Sequence, residues 1–367
     1  MTQTPPFDPN EFARWLVDGL KETLSYRIKQ TVNREKIGEL IQSKIPTRNQ
    51  LLHRVLRRAF EKNGFHFEKV SQGDATFHLI RKRYREGSRR LILVPGFGDS
   101  PCTWIPCFGF TRRELARNFD EVIILDFPGY LGFLSRETMV PSMAVLLGVV
   151  KTICEANPPT VLVGHSLGGW LAAKFAQETR RPIEHLVVAA PSGLTPENER
   201  RAYADFILSN QSVPLDELIQ KVIHEPKRYH HLIREEMKQF YSQPEVREFV
   251  ESVKPEQFIH PLQDFQAKRV SVIWGEGDQF VPASWLRHWV ERFGEYTDAY
   301  VMKETGHLPQ IERPGVFSQV FLHAILGRPG VEGKHWKKVH TRPRERDLTP
   351  LPDDTRQKRI PQLSTPD

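Results

Sequence analysis

Ten residues constrain the fold of this chain more than any other stretch: Thr160 to Gly169 read TVLVGHSLGG. Val161, Leu162 and Val163 form a short apolar, largely β-branched run suited to a buried strand, and the LAAKFA that follows Trp170 favours a helix. The strand must pass into the helix through Gly164-His165-Ser166-Leu167-Gly168. A turn that tight has room only if the residues two before and two after its apex lack side chains, which Gly164 and Gly168 satisfy. Ser166 at the apex is expected to sit in a strained backbone conformation, with the amides of helix Trp170–Gln177 directed toward it. The pattern G-x-S-x-G also arises by chance in ordinary turns; the strand before it and the helix after it set this instance apart.

Ser166 is therefore the candidate nucleophile, and a serine hydroxyl needs a base, itself oriented by an acid. In a strand-turn-helix site of this kind the acid and the histidine follow the serine in that order. Val270 to Trp274, VSVIW, reads as a buried parallel strand running into Gly275-Glu276-Gly277-Asp278. That loop lies at a carboxyl end of the sheet, where functional groups of open α/β sheets collect. Asp278 is the expected acid, with Glu276 as the alternative. A further strand near Asp298–Met302 leads to Gly306-His307, which makes His307 the expected base. His165, adjacent to the serine in sequence, is the rival, but on a tight turn it points away from the nucleophile.

Leu91 to Val94 form another short apolar strand, feeding Pro95-Gly96-Phe97-Gly98-Asp99. In this architecture an oxyanion is held by one backbone N–H of such a loop and one from the residue after the nucleophile. The expected donors are Phe97 and Leu167.

Together these motifs resemble the α/β-hydrolase superfamily, in particular its lidded serine esterases, monoacylglycerol-lipase-like members and carbon–carbon bond hydrolases. The resemblance spans about His66 to Gly327. It rests on VPGFGDS from Val94, LDFPGYLGF from Leu125, GHSLGG from Gly164, WGEGDQFVP from Trp274 and GHLPQIERP from Gly306. Pro95 stands where the family often has a histidine, a departure that bears on the shape of the loop and not on its amides. A serine at position 166 separates the chain from the epoxide hydrolases and haloalkane dehalogenases of this fold, which carry aspartate there.

The expected fold is α/β, a doubly wound and mostly parallel eight-stranded sheet. Its strands fall near 67–70, 76–81, 91–94, 122–125, 160–163, 185–189, 270–274 and 298–302, and a last helix near Val316–Leu326 ends at Gly327. The core divides into residues 65–195 and 266–327. Between them, 196–265 lacks strand signal and reads as helices near 197–208, 215–224 and 229–241; the resemblance implies that this insertion is a lid, and its interleaved apolar residues suit one. Residues 1–64 form an N-terminal helical extension, with apolar residues at helical spacing over 12–24 and 51–60. The basic second helix has two readings, packing on its own domain or lying on an anionic membrane surface, and packing is the commoner. Residues 328–367, Pro-rich and charged with few apolar side chains, are expected to be disordered.

The net charge of +7 over 367 residues comes from the two ends, not from 91–327, so it says little about chemistry. There is no zinc spacing and no interleaving of aromatic and basic residues on strands, so neither a metal nor a nucleic acid is expected, and no cofactor is implied. Three cysteines, an odd count in a large domain, read as reduced thiols and a cytoplasmic location, at most peripheral to a membrane. The first expectation for function is a serine hydrolase that cleaves an ester with an apolar, lipid-like acyl group through an acyl-enzyme on Ser166. The same three residues also suit a carbon–carbon bond hydrolase of a diketone-type substrate, and a non-catalytic binding protein of this fold is a third reading. The sequence sets no oligomeric state.

Overall fold

A computed structural model describes residues 57–58, 60–72, 75–127, 141–209, 214–225, 237, 240–328, 332–342 and 348. The chain divides into two compact units, residues 1–66 and 67–367. In the first, the described residues end a helix that closes at Gly64, whose φ of 76° takes the left-handed region. Phe60 and Phe65 meet there edge to face at 5.1 Å. The helix expected over 12–24, most of that over 51–60 and the hairpin turn at 73–74 lie outside the described residues.

The second unit is built on a sheet whose strands are β1 (His66–Gln72), β2 (Ala75–Arg83), β3 (Arg90–Val94), β4 (Glu121–Asp126), β5 (Val161–His165), β6 (Ile183–Ala189), β7 (Ala267–Gly275), β8 (Thr297–Met302), β9 (Glu332–Gly333) and β10 (Trp336–His340), in the order β1-β2-β4-β3-β5-β6-β7-β8-β10-β9. All eight expected strands are present. From β4 to β8 each adjacent pair is parallel, while β2 runs antiparallel to β4. β4 and β5 are buried along their whole length and β3 nearly so. Helices cover both faces there, which is why these strands read as unbroken apolar runs and not as alternating ones.

β3 lies between β4 and β5, so the chain leaves β3 toward one edge of the sheet and later returns to its other side. Such a reversal opens a crevice at the carboxyl ends of the strands. The loops that follow β3 and β5 flank that crevice. α1 (Ile105–Asn118), α2 (Met143–Ala156), α3 (Leu167–Glu178), α7 (Leu286–Phe293), α8 (Pro309–Glu312) and α9 (Pro314–Leu326) belong to the layers around the sheet. α3 is buried from Leu167 to Gln177, with Gly168, Gly169, Ala172, Ala173 and Ala176 permitting its close approach to the strands. Gly327, with φ 60°, ends α9 in the left-handed conformation expected of a C-terminal glycine.

Between β6 and β7 the described residues include α4 (Glu197–Ser209), α5 (Leu215–Val222) and α6 (Pro244–Ser252), with α6 packed on α4. Phe240, Val246 and Phe249 are buried. Most of the helix expected over 229–241 lies outside the described residues.

The expectation for the tail is corrected over 332–342. β10 pairs antiparallel with the edge of β8, and β9 pairs with β10. Composition misleads here because an edge strand needs backbone partners more than apolar side chains. A single aromatic, Trp336, is 3% exposed against Tyr300. Lys338 lies 2.8 Å from the buried carboxylate of Asp298, which also pairs with Arg342, so part of the tail's positive charge is used structurally. Residues 349–367 lie outside the described residues. All three cysteines are unpaired, with Cys107 and Cys154 buried. Among the described residues no helix is long and apolar enough to cross a membrane.

Candidate active site

β5 delivers the chain into α3 through Ser166, whose φ of 53° and ψ of −120° are the strained values expected at the apex of this turn. The two glycines around it have no space for a side chain. A Cβ on Gly164 would lie 2.1 Å from the Gly168 carbonyl oxygen, and one on Gly168 would lie 2.3 Å from that of Val94. The turn is further tied down by Ser166 N–H donating to the Ala189 carbonyl at 2.9 Å.

Asp278 and His307 reach this serine from the ends of β7 and β8. His307 Nε2 is 2.9 Å from Ser166 Oγ, and His307 Nδ1 is 2.9 Å from Asp278 Oδ2. The other carboxylate oxygen, Oδ1, accepts the backbone N–H groups of Phe280 and Val281, each at 2.9 Å. Asp278 is thereby held as an acceptor facing Nδ1. A proton on Nδ1 leaves Nε2 as the acceptor for the serine hydroxyl. Ser166, Asp278 and His307 are all buried. Glu276, the alternative acid, is exposed and takes no part in this chain of bonds.

His165 faces away from the serine. Its Nε2 lies 2.8 Å from the His307 carbonyl oxygen, and its Nδ1 is 3.4 Å from both Asp99 Oδ2 and Gln310 Nε2. It therefore braces the backbone of His307.

Glu312 was not singled out from the sequence. Its Oε2 accepts the N–H groups of Gly306 and His224, both at 2.9 Å, and its Oε1 accepts that of Leu308 at 3.0 Å. His307 N–H itself donates to the Val222 carbonyl at 2.7 Å. The loop bearing His307 is thus fastened on one side to Glu312 and on the other to the end of α5. Burial raises the Glu312 carboxyl above its ordinary range, with the three backbone donors opposing the rise. The available signal was a lone acidic residue five positions after the histidine, within the GHLPQIERP motif.

The loop after β3 passes directly over the serine: a Cβ on Gly96 would lie 3.2 Å from Ser166 Cβ. Gly98 has φ 68°, and Phe240 lies where its Cβ would project. Phe97 stacks on Phe249 of α6 at 4.6 Å and meets Phe240 edge to face at 4.8 Å, so the loop and the β6–β7 insertion hold each other. Leu167 opens α3, where a backbone N–H has no acceptor within the helix.

Two cavities meet at Ser166, Phe97 and Phe280. The larger, about 300 Å³, extends past Leu167 and Trp170 beneath α4 and α6, where Ile207, Val250 and Phe258 line it. The smaller, about 60 Å³, holds His307 together with Gly98, Asp99, Tyr241 and Leu308. Both are walled mostly by apolar side chains, as ligand pockets usually are.

Residues 91–320 match the model of the alpha/beta hydrolase family. Among curated proteins, the chain is 26% identical over 257 residues to an uncharacterised hydrolase of Bacillus subtilis, covering 64% of this chain and 88% of that protein. It is 23% identical over 261 residues to the dihydrolipoyllysine-residue acetyltransferase component of the acetoin cleaving system of Cupriavidus necator, covering 68% and 67%. Among solved structures, a carboxylesterase of Bacillus subtilis superposes with a TM-score of 0.52 at 20% identity, covering 76% of this chain and 99% of that one. At that identity the likeness is one of fold.

Proposed function

This chain is a hydrolase belonging to the alpha/beta hydrolase family, and we propose that it cleaves carboxylic esters with Ser166 as nucleophile, His307 as general base and acid, and Asp278 as the group that orients His307. One observation carries the reading: an unbroken Asp278–His307–Ser166 chain of hydrogen bonds, each link 2.9 Å long, at the junction of two cavities.

In the first half-reaction, Nε2 of His307 takes the hydroxyl proton as Ser166 Oγ adds to the ester carbonyl. The negative charge that forms on the carbonyl oxygen is held by the amides of Phe97 and Leu167, a type of contact worth about a hundredfold or more in turnover. As the tetrahedral species collapses, the imidazolium returns its proton to the departing alcohol, leaving an acyl-enzyme. Water then repeats the sequence and frees the acid and the serine. The leaving oxygen must lie beside Nε2, and His307 lines only the smaller cavity. The alcohol, and later the attacking water, therefore belong in the smaller cavity and the acyl group in the larger one. The apolar walls of the larger cavity favour a hydrocarbon chain as the acyl group.

Hydrolysis of methyl alkanoates of increasing chain length, followed by titration of the released acid, tests this. Turnover by the wild type that disappears in Ser166→Ala supports the reading, and absence of turnover on every ester speaks against it.

A further inference from the structure

One charged group interrupts the wall of the larger cavity with no counter-ion among the described residues. Arg200, on the first turn of α4, is half-buried and lines the cavity that opens on Ser166. Its guanidinium lies 4.1 Å from the centre of the Phe258 ring, and Phe258 in turn packs on Trp170 at 4.6 Å. Trp170 is fixed by its Nε1–H, which donates to the Gln257 carbonyl at 2.7 Å. The arginine therefore caps a stack of rings that forms one wall of the pocket.

Its Nε donates to the Thr195 carbonyl at 3.3 Å, which sets the plane of the guanidinium and leaves Nη1 and Nη2 for another acceptor. Among the described residues no carboxylate lies within ion-pair distance of it. The neighbouring acidic group, Glu199, accepts from Trp285 Nε1 at 3.0 Å. Arg201, which also lines the cavity, is 90% exposed at its side chain and bonded to Asp205 at 3.2 Å. Of the two arginines, only Arg200 combines partial burial, a fixed orientation and, among the described residues, no carboxylate partner.

A half-buried guanidinium gives up hydration that an apolar wall does not replace, and the deficit is met when a ligand supplies oxygens. Its planar fork matches a carboxylate or phosphate with two parallel hydrogen bonds. We infer that the acyl group held in the larger cavity is an apolar chain bearing an anionic group, bound by Arg200, with the ester at Ser166. The inference rests on the ester-hydrolase reading above and narrows its substrate class from apolar acyl groups to apolar acyl groups that end in an anion.

The test compares monomethyl glutarate, adipate and suberate with methyl pentanoate, hexanoate and octanoate, which match them in chain length and differ in the terminal carboxylate. The full chain is assayed near neutral pH, where that carboxylate is ionised. Wild type is expected to prefer the anionic member of at least one pair by about tenfold or more in kcat/KM, mainly through KM, and to lose part of that preference in high salt. Arg200→Gln should reduce the anionic-to-neutral ratio to near one, and Arg200→Lys, a point charge without the fork, should retain an intermediate ratio. Because the readout is a ratio within each variant, a general loss of activity does not imitate the effect. Hydrolysis of the neutral esters with no preference in the wild type, or a preference unchanged in Arg200→Gln, would overturn the assignment and leave ester hydrolysis standing. Hydrolysis of neither series would overturn both.

Discussion

The carboxylate of Glu312 accepts the backbone N–H of His224 at 2.9 Å, joining the loop that carries His307 to the segment that follows α5. Because the same oxygen also accepts Gly306 N–H and its neighbour accepts Leu308 N–H, one buried side chain holds two segments of backbone together beside the imidazole. Glu312→Ala leaves three donors without acceptors. A loss of about 2–5 kcal/mol in unfolding free energy is expected, measured by urea denaturation, together with a fall in kcat larger than the change in KM. Glu312→Gln, which keeps one acceptor oxygen, should fall between the two.

Backbone strain at Ser166 gives a second prediction. With φ at 53° and ψ at −120°, any side chain at this position costs about 1–3 kcal/mol. Ser166→Gly should therefore be more stable than Ser166→Ala by about 1 kcal/mol or more, while both lack ester hydrolysis. Equal stability of the two variants would show that the turn stores no strain.

The edge strand β10 is expected to contribute stability that composition would not assign to it. Trp336 is buried against Tyr300 and His323, so Trp336→Ala should cost about 3–5 kcal/mol. Removal of residues from 329 onward should also expose the edge of β8 and promote association, seen as a rise in apparent mass by light scattering.

A pH effect follows from His185 on β6. It is buried with Nε2 2.9 Å from Ser271 Oγ, and burial first, then the charges of Arg269 and Arg342, hold its pKa well below the ordinary 6.5. The unfolded chain takes up a proton that the folded state refuses. This contribution is therefore complete above about pH 6.5 and is lost as pH falls below it, by at most about 1.4 kcal/mol per pH unit. Urea midpoints of the wild type should drop more steeply between about pH 6.5 and 5 than those of His185→Gln.

The size of the smaller cavity, about 60 Å³, predicts selectivity for the alcohol. Methyl esters should be hydrolysed with higher kcat/KM than benzyl esters of the same acid. Phe240→Ala, which removes a ring lining that cavity, should raise the benzyl-to-methyl ratio.

What could be read from the sequence was local or followed chain order. The turn at Ser166 shows in ten residues because its glycines answer to steric demands within the turn itself, and the buried parallel strands show because both of their faces are covered. Asp278 and His307 were found because each follows a strong strand on a short loop, and the structure brings both to Ser166. Other features depend on packing between distant segments. Glu312 draws on donors from the loop around His307 and from His224 just after α5, so its sequence signal is one ordinary acidic residue. Arg200 is one of many arginines until the stack of Phe258 and Trp170 turns it toward the cavity. β10 looked unable to fold because its partners are backbone groups of β8, and composition does not register those.

Ester cleavage at this site requires the Ser166 hydroxyl to be the activated nucleophile. The direct measurement is the mass of the intact, folded protein after treatment with a small alkyl fluorophosphonate, followed by peptide mapping. One phosphonyl adduct on Ser166 is expected in the wild type, with none in Ser166→Ala and much slower labelling in His307→Ala. A folded wild-type protein that takes up no adduct, or an adduct that persists in Ser166→Ala, would contradict it.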